Sequence, residues 1–185
     1  MTTQEYSELR ESALAMDFER VDTLLATGLN LNCLSSVDKT LLADILDDAL
    51  FDKSPHATTI ARELLKRGAD PNFRNSENIG VLFTVILFMA TDVLRILLEA
   101  GANPNDEPGD DESESFYDYA EFDYCFQVYD LHLPEEPTQA DTLNPDTWLQ
   151  FLDRLAIQYK RRRPNHLFLL RQFGAKTMKE LRKNL

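Results

Sequence analysis

Glycine and proline are scarce in this chain, six and eight among 185 residues. That excludes a collagen-like fibre and a low-complexity linker. Cysteine is scarcer still: Cys33 and Cys125 are the only two, and they lie far apart. Two scattered cysteines do not build a disulfide scaffold, and they read as reduced thiols in a cytoplasm. Long hydrophobic runs are missing. The longest, Val81 to Ala90, is broken by Thr84 and falls well short of the ~20 residues of a membrane helix. The opening MTTQEYSELRESALAMDFER lacks the basic start and apolar core of a secretory signal.

Positive charge is missing most unevenly. Lys and Arg total 19 against 32 Asp and Glu, a formal net charge of −13. Such a balance repels phosphate backbones and anionic bilayers, so neither nucleic acid nor a membrane is an expected partner. Between Arg95 and Arg154 there is no lysine or arginine, and those 58 residues hold 16 acids. Residues 154–185 hold ten bases and one acid, Glu180. What is present is globular: 43% apolar and 28% charged residues, enough for one compact domain over residues 1–185.

The chain repeats itself. Four segments line up on a glycine: Leu24–Asn32 (LLATGLNLN), Leu64–Asn72 (LLKRGADPN), Leu97–Asn105 (LLEAGANPN) and Leu169–Thr177 (LLRQFGAKT). The glycines Gly28, Gly68, Gly101 and Gly174 are spaced by 40, 33 and 73 residues. In each segment a leucine pair ends an amphipathic helix. The glycine then supplies the left-handed conformation that terminates it. Asp70-Pro71-Asn72 and Asn103-Pro104-Asn105 are turn-formers that lead the chain away. A spacing near 33 residues is the mark of a helix-pair repeat array.

This pattern resembles the ankyrin-repeat family. Thr91–Asn105 (TDVLRILLEAGANPN) is similar to the family's second-helix consensus, and Ala61–Asn72 nearly as much. The resemblance covers residues 5–105 and resumes at about 147–178. It implies a mainly α fold: a helical solenoid of about four helix pairs, with repeats near 5–32, 38–72, 78–105 and 145–178 and an insertion at 106–144. The family's Thr-Pro-Leu-His is absent. Repeat two offers Thr40-Leu41-Leu42-Ala43 and repeat three Val81-Leu82-Phe83-Thr84. Without that histidine the repeats are expected to hold by apolar packing.

The helix pairs read as Glu5–Met16 with Phe18–Thr27, Lys39–Phe51 with Pro55–Arg67, Gly80–Ala90 with Asp92–Ala100, and Pro145–Arg161 with Pro164–Phe173. Ser54, Thr91 and Asn144 are the expected caps. Met178–Asn184 reads as a short basic terminal helix. In the insertion, Asp106–Glu114 reads as a solvated acidic loop. Phe116–Tyr129 (FYDYAEFDYCFQVY) carries seven aromatics. Tyr119, Phe122 and Phe126 fit a helical spacing, whereas Tyr124, Phe126 and Val128 alternate as in a strand, and periodicity leaves both open.

Signals of chemistry are missing. There is no phosphate-cradling GxxxxGK, no GxGxxG and no GxSxG. His56, His132 and His166 stand at no metal-ligand spacing and read as surface or interface residues. No catalytic residue, metal or cofactor is therefore expected, and the chain reads as a non-enzymatic protein-binding module. The ankyrin resemblance implies binding through loop tips and a concave face. The candidate contact residues are Phe73, Arg74 and Asn75 at one tip, and Asp110, Asp111, Glu112, Glu114, Phe116, Tyr117, Tyr119, Glu121, Phe122, Asp123 and Tyr124 in the insertion.

Aromatics supply contact area while acids steer a basic partner. The alternative reading packs the insertion on its own protein, its acids facing Lys160-Arg161-Arg162-Arg163 and the basic tail. The chain is similar to short acidic bacterial ankyrin proteins, some of them immunity proteins. That resemblance implies a stoichiometric inhibitor of a basic toxin or nuclease. A regulatory scaffold that binds a cellular protein or self-associates is the other functional reading; the chain itself is expected to be a monomer or weak homo-oligomer.

Overall fold

Four residues at positive φ punctuate the chain where the sequence places them. Gly28, Gly68, Gly101 and Gly174 have φ of +98°, +94°, +93° and +84°. A Cβ built on any of them meets nothing within 4 Å. The requirement for glycine is therefore conformational, not a matter of space.

The computed structural model describes residues 2–105 and 114–183. Among them there are ten helices and no named strand. The fold is mainly α. The chain divides into two compact units, Met1–Asn103 and Pro104–Leu185.

The first unit holds three helix pairs: α1 (Thr3–Leu14) with α2 (Phe18–Ala26), α3 (Leu41–Phe51) with α4 (Ala57–Lys66), and α5 (Val81–Leu87) with α6 (Thr91–Glu99). The first helices α1, α3 and α5 pack side by side, and α4 packs on α6. Fully buried leucine, isoleucine and valine side chains fill the space between pairs: Leu9, Ile45, Leu82 and Val85 from first helices, Ile60, Leu64 and Leu97 from second ones. Each such side chain contributes about 1.5–3 kcal/mol on burial, so apolar packing supplies most of the stability.

Within each pair the turn is left-handed at one residue, Met16, Lys53 or Met89. The cap readings hold in part. Asp17 caps α2 through the Arg20 amide at 3.0 Å. Thr91 does not cap α6: it is the first helical residue, and Ala90 stands at the cap with no side-chain bond. Ser54 lies before the α4 cap, His56, and its hydroxyl accepts from the His56 amide at 3.2 Å.

One two-bond clamp recurs. Asn32 Nδ2 donates to the Gly68 carbonyl at 3.1 Å, and Asn32 Oδ1 accepts from the Asp70 amide at 2.7 Å. Asn72 treats Gly101 and Asn103 the same way, at 2.9 and 2.8 Å. In the second unit Asn105 treats Gly174 and Lys176 the same way, at 2.9 and 2.9 Å. Gly174 thus answers Asn105 across a long insertion as Gly68 answers Asn32. Each amide side chain satisfies a carbonyl and an N–H freed by the helix end.

The second unit is built from α7 (Phe116–Tyr129), α8 (Pro145–Gln158), α9 (Asn165–Gln172) and α10 (Met178–Arg182), with α7 packed on α9. Asn144 caps α8 as expected, accepting from the Asp146 and Thr147 amides. Lys160 is left-handed in the α8–α9 turn, as Met16, Lys53 and Met89 are in theirs. Within the fourth repeat segment the leucine register differs from the sequence alignment by one. Ala69, Ala102 and Ala175 donate to Leu64, Leu97 and Leu170, so Leu170, not Leu169, matches the earlier leucines.

Replacing Asn72 or Asn105 by alanine removes two bonds each and is expected to destabilise by about 1–2 kcal/mol. Gly101→Ala is expected to cost about 1–2 kcal/mol through backbone strain alone. Urea unfolding midpoints at unchanged slope measure all three.

Candidate functional site

The aromatic segment is a helix, and local chemistry says why. No proline or glycine interrupts residues 116–129. Ser115 and Asp118 form a capping box: the hydroxyl accepts from the Asp118 amide at 3.2 Å, and the carboxylate accepts from the Ser115 amide at 3.0 Å. Asp130 ends the helix in the left-handed conformation. This decides between helix and strand.

The helix has two aromatic faces. Phe116, Tyr117 and Tyr124 are fully buried, as is Ala120, and Tyr129 is nearly so. Burial removes Phe116, Tyr117 and Tyr124 from the contact surface that the sequence reading gave them. Tyr124 donates to the Arg162 carbonyl at 2.6 Å and lies 5.7 Å from the His166 ring, centroid to centroid. Burial and the Arg162 charge push His166 down to about 3, so it is a neutral core residue rather than a surface one. Tyr117 lies under the Arg171 guanidinium at 5.4 Å. On the other side Phe122 and Phe126 are 54% and 52% exposed. Tyr119, Asp123 and Glu121 are half-buried, and so is Glu114. Asp110, Asp111 and Glu112 lie outside the described residues.

Asp118 does more than cap its own helix. Its Oδ2 also accepts from the Met178 amide at 2.7 Å, which ties α7 to the start of α10. Arg171 ties the remaining elements. It donates to Asp146 at 3.0 Å, to the Ala175 carbonyl at 2.8 Å and to both oxygens of Glu180 at 2.6 and 3.0 Å. The guanidinium holds Glu180 down at about 2.

Glu121 faces a cleft of about 540 Å³ lined by Trp148, Leu143, Thr177 and Lys179 among others. Trp148 Nε1 donates to Glu121 Oε1 at 2.7 Å, and the indole stacks on Phe151. Burial pushes the Glu121 carboxyl up to about 7, opposed by the Trp148 bond.

Three arginines of this unit are paired with particular acids. Arg154 pairs with Asp141, Arg163 with Asp153, and Arg171 with Asp146 and Glu180. Of these acids only Asp141 belongs to the insertion. No salt bridge to Asp123 or Asp130 occurs among the described residues; Asp123 accepts from the Gln127 amide at 2.8 Å instead.

The tip residues belong to the first unit. Asn75 Oδ1 accepts from the Ile79 and Glu77 amides at 2.7 and 3.1 Å, so its carbonyl shapes its own loop. Ser35 shapes the preceding tip the same way, accepting from Lys39 and Val37. Asp38 joins the two tips by accepting from the Ser76 amide at 3.0 Å. Phe73 and Arg74 are half-buried, with both terminal Arg74 nitrogens out of solvent.

Cys33 and Cys125 are free and half-buried. Burial raises their thiols to about 11 and 12, which keeps both protonated and poor nucleophiles. Among the described residues no group of three His, Cys, Asp or Glu could hold a metal ion, and no helix is long and apolar enough to cross a membrane. Neither a scan against protein-family models nor a search among curated proteins finds a match to this chain.

Glu121 makes stability depend on pH with a definite sign. Its carboxyl binds a proton more tightly folded than at its ordinary 4.5. Its contribution is therefore full below about 4.5 and is lost as pH rises through about 7. Glu121→Gln keeps the Trp148 bond and is expected to flatten the thermal unfolding midpoint between pH 4.5 and 7. Profiles that run parallel in variant and wild type contradict this account.

Proposed function

We propose that the chain is a non-enzymatic protein-interaction module of ankyrin-repeat type, and that its partner is a basic protein. The recurrence of one clamp at Asn32, Asn72 and Asn105 supports the repeat reading. It adds to four left-handed glycines and to three helix pairs whose first helices pack side by side.

The partner's charge is supported by a different observation. Arg154, Arg163 and Arg171 are engaged by Asp141, Asp153, Asp146 and Glu180, while Asp123 on α7 and Asp130 at its end have no salt bridge among the described residues. A basic partner supplies complementary charge to these two carboxylates and speeds encounter. A small acidic module of this kind suits stoichiometric inhibition of a basic toxin or nuclease, in the manner of an immunity protein. A scaffold role that includes self-association is the second reading. It is favoured by the burial of Phe116, Tyr117 and Tyr124, which makes much of α7 structural.

Capture from a host extract, followed by binding kinetics, tests the first reading. A basic protein held at one-to-one ratio is expected. The combined variant Asp110→Asn, Asp111→Asn, Glu112→Gln and Glu114→Gln is expected to lower its association rate by about tenfold at low salt, with dissociation little changed. Capture of no basic protein at low or moderate salt contradicts the module reading. An unchanged association rate contradicts steering by this loop.

A further inference from the structure

The outward face of α7 exposes two large apolar side chains. Phe122 and Phe126 stand one helical turn apart, each about half exposed, and Asp130 continues their row by one more turn. Single exposed apolar residues are ordinary on a protein surface. A phenylalanine pair on one helical row, next to a cleft, is not. The cleft measures about 490 Å³, and its lining includes Phe126, Tyr129, Asp130, His132, Tyr159 and Arg161. That volume is large enough for one or two bulky side chains. Tyr159 is held on its wall by a bond to Glu135 at 2.9 Å.

Two acids and one base stand on this face. Asp123 and Asp130 flank the phenylalanine row and have no salt bridge among the described residues. Arg161 and Asp130 both line the cleft. The excess of acid favours a cation beside the ridge, and Phe126, Tyr129 and Tyr159 offer an apolar side chain aromatic contact in the cleft. A net charge of −13 disfavours a second copy of the chain as occupant.

We infer that the Phe122–Phe126 ridge with its adjoining cleft is the docking surface for a basic protein segment, whose apolar side chain enters the cleft while flanking Lys or Arg residues meet Asp123 and Asp130. This rests on the reading of the chain as a module for a basic partner; as contact residues it drops Phe116, Tyr117 and Tyr124, keeps Phe122 and Asp123, and adds Phe126 and Asp130. The buried aromatics hold the helix, and the exposed ones meet the partner.

The test uses the full chain and a fluorescein-labelled short peptide with a Leu-Phe pair between Lys and Arg residues. Two control peptides replace the Leu-Phe pair by serines, or the basic residues by glutamates. Fluorescence anisotropy is expected to show binding of the first peptide, at least about tenfold tighter than either control. Phe122→Ser with Phe126→Ser is expected to weaken it at least about tenfold while the far-ultraviolet spectrum and unfolding midpoint stay close to wild type. Asp123→Asn with Asp130→Asn keeps all packing and is expected to slow association and flatten the salt dependence, so the surface remains testable if the serine variant unfolds.

Equal affinity for the serine variant or for the glutamate peptide overturns the inference. So does a concentration-dependent dimer that disappears in the serine variant, since a second copy would then be the occupant. If a basic protein from the host is captured equally by wild type and serine variant, this surface is wrong and the module reading stands. If no basic protein is captured at all, the underlying reading fails as well.

Discussion

The asparagine that follows each of the first three repeat glycines is the constraint on which the architecture depends. A helix ended by a left-handed glycine leaves a carbonyl and an amide facing outward. Asn32, Asn72 and Asn105 each meet one carbonyl and one amide two residues beyond it. No hydrophobic contact has that directionality. Burial of leucine and isoleucine supplies the larger energy, but the two-bond clamp sets the register at which a helix end is held. It also explains why a long insertion after Asn105 is tolerated. The clamp needs Gly174 and Lys176 at the right place in space, not at the right distance in sequence.

The insertion helix shows how one segment serves packing and presentation together. Its buried side carries Phe116, Tyr117 and Tyr124, and its outer side Phe122 and Phe126. Two polar anchors fix its rotation. Asp118 binds both the Ser115 hydroxyl and the Met178 amide. Arg171 lies over Tyr117 while holding Asp146 and Glu180. A helix locked in this way presents its outer side chains with little freedom to lose on contact, which favours tight association.

The parts of the fold that follow from backbone chemistry were readable in the sequence. Left-handed Gly28, Gly68, Gly101 and Gly174 and the Asn144 cap are local requirements, and local residues reveal them. The Thr91 cap was misplaced because a threonine at the first helical position looks the same as one at the cap. The leucine register before Gly174 slipped because LLRQFG offers two leucines, and only the bond from Ala175 to Leu170 chooses between them. In the insertion, Ser115 and Asp118 at capping-box spacing carried the signal for a helix over a strand. Which aromatics face inward depends on α9 and Arg171, far away in sequence, so composition could not separate buried Phe116, Tyr117 and Tyr124 from exposed Phe122 and Phe126. His166 likewise reads as polar, and only its placement beside Tyr124 shows it to be core.

Native-state hydrogen exchange at the clamp amides tests the central claim most directly. The amides of Asp70, Asn103 and Lys176 are each bonded to an asparagine side chain across a turn. If the clamp is the common device of all repeats, the three are expected to exchange with similar protection, well above that of neighbouring turn amides. Free-chain exchange at Lys176, beside protected Asp70 and Asn103, would contradict the equivalence of the Asn105–Gly174 clamp with the other two.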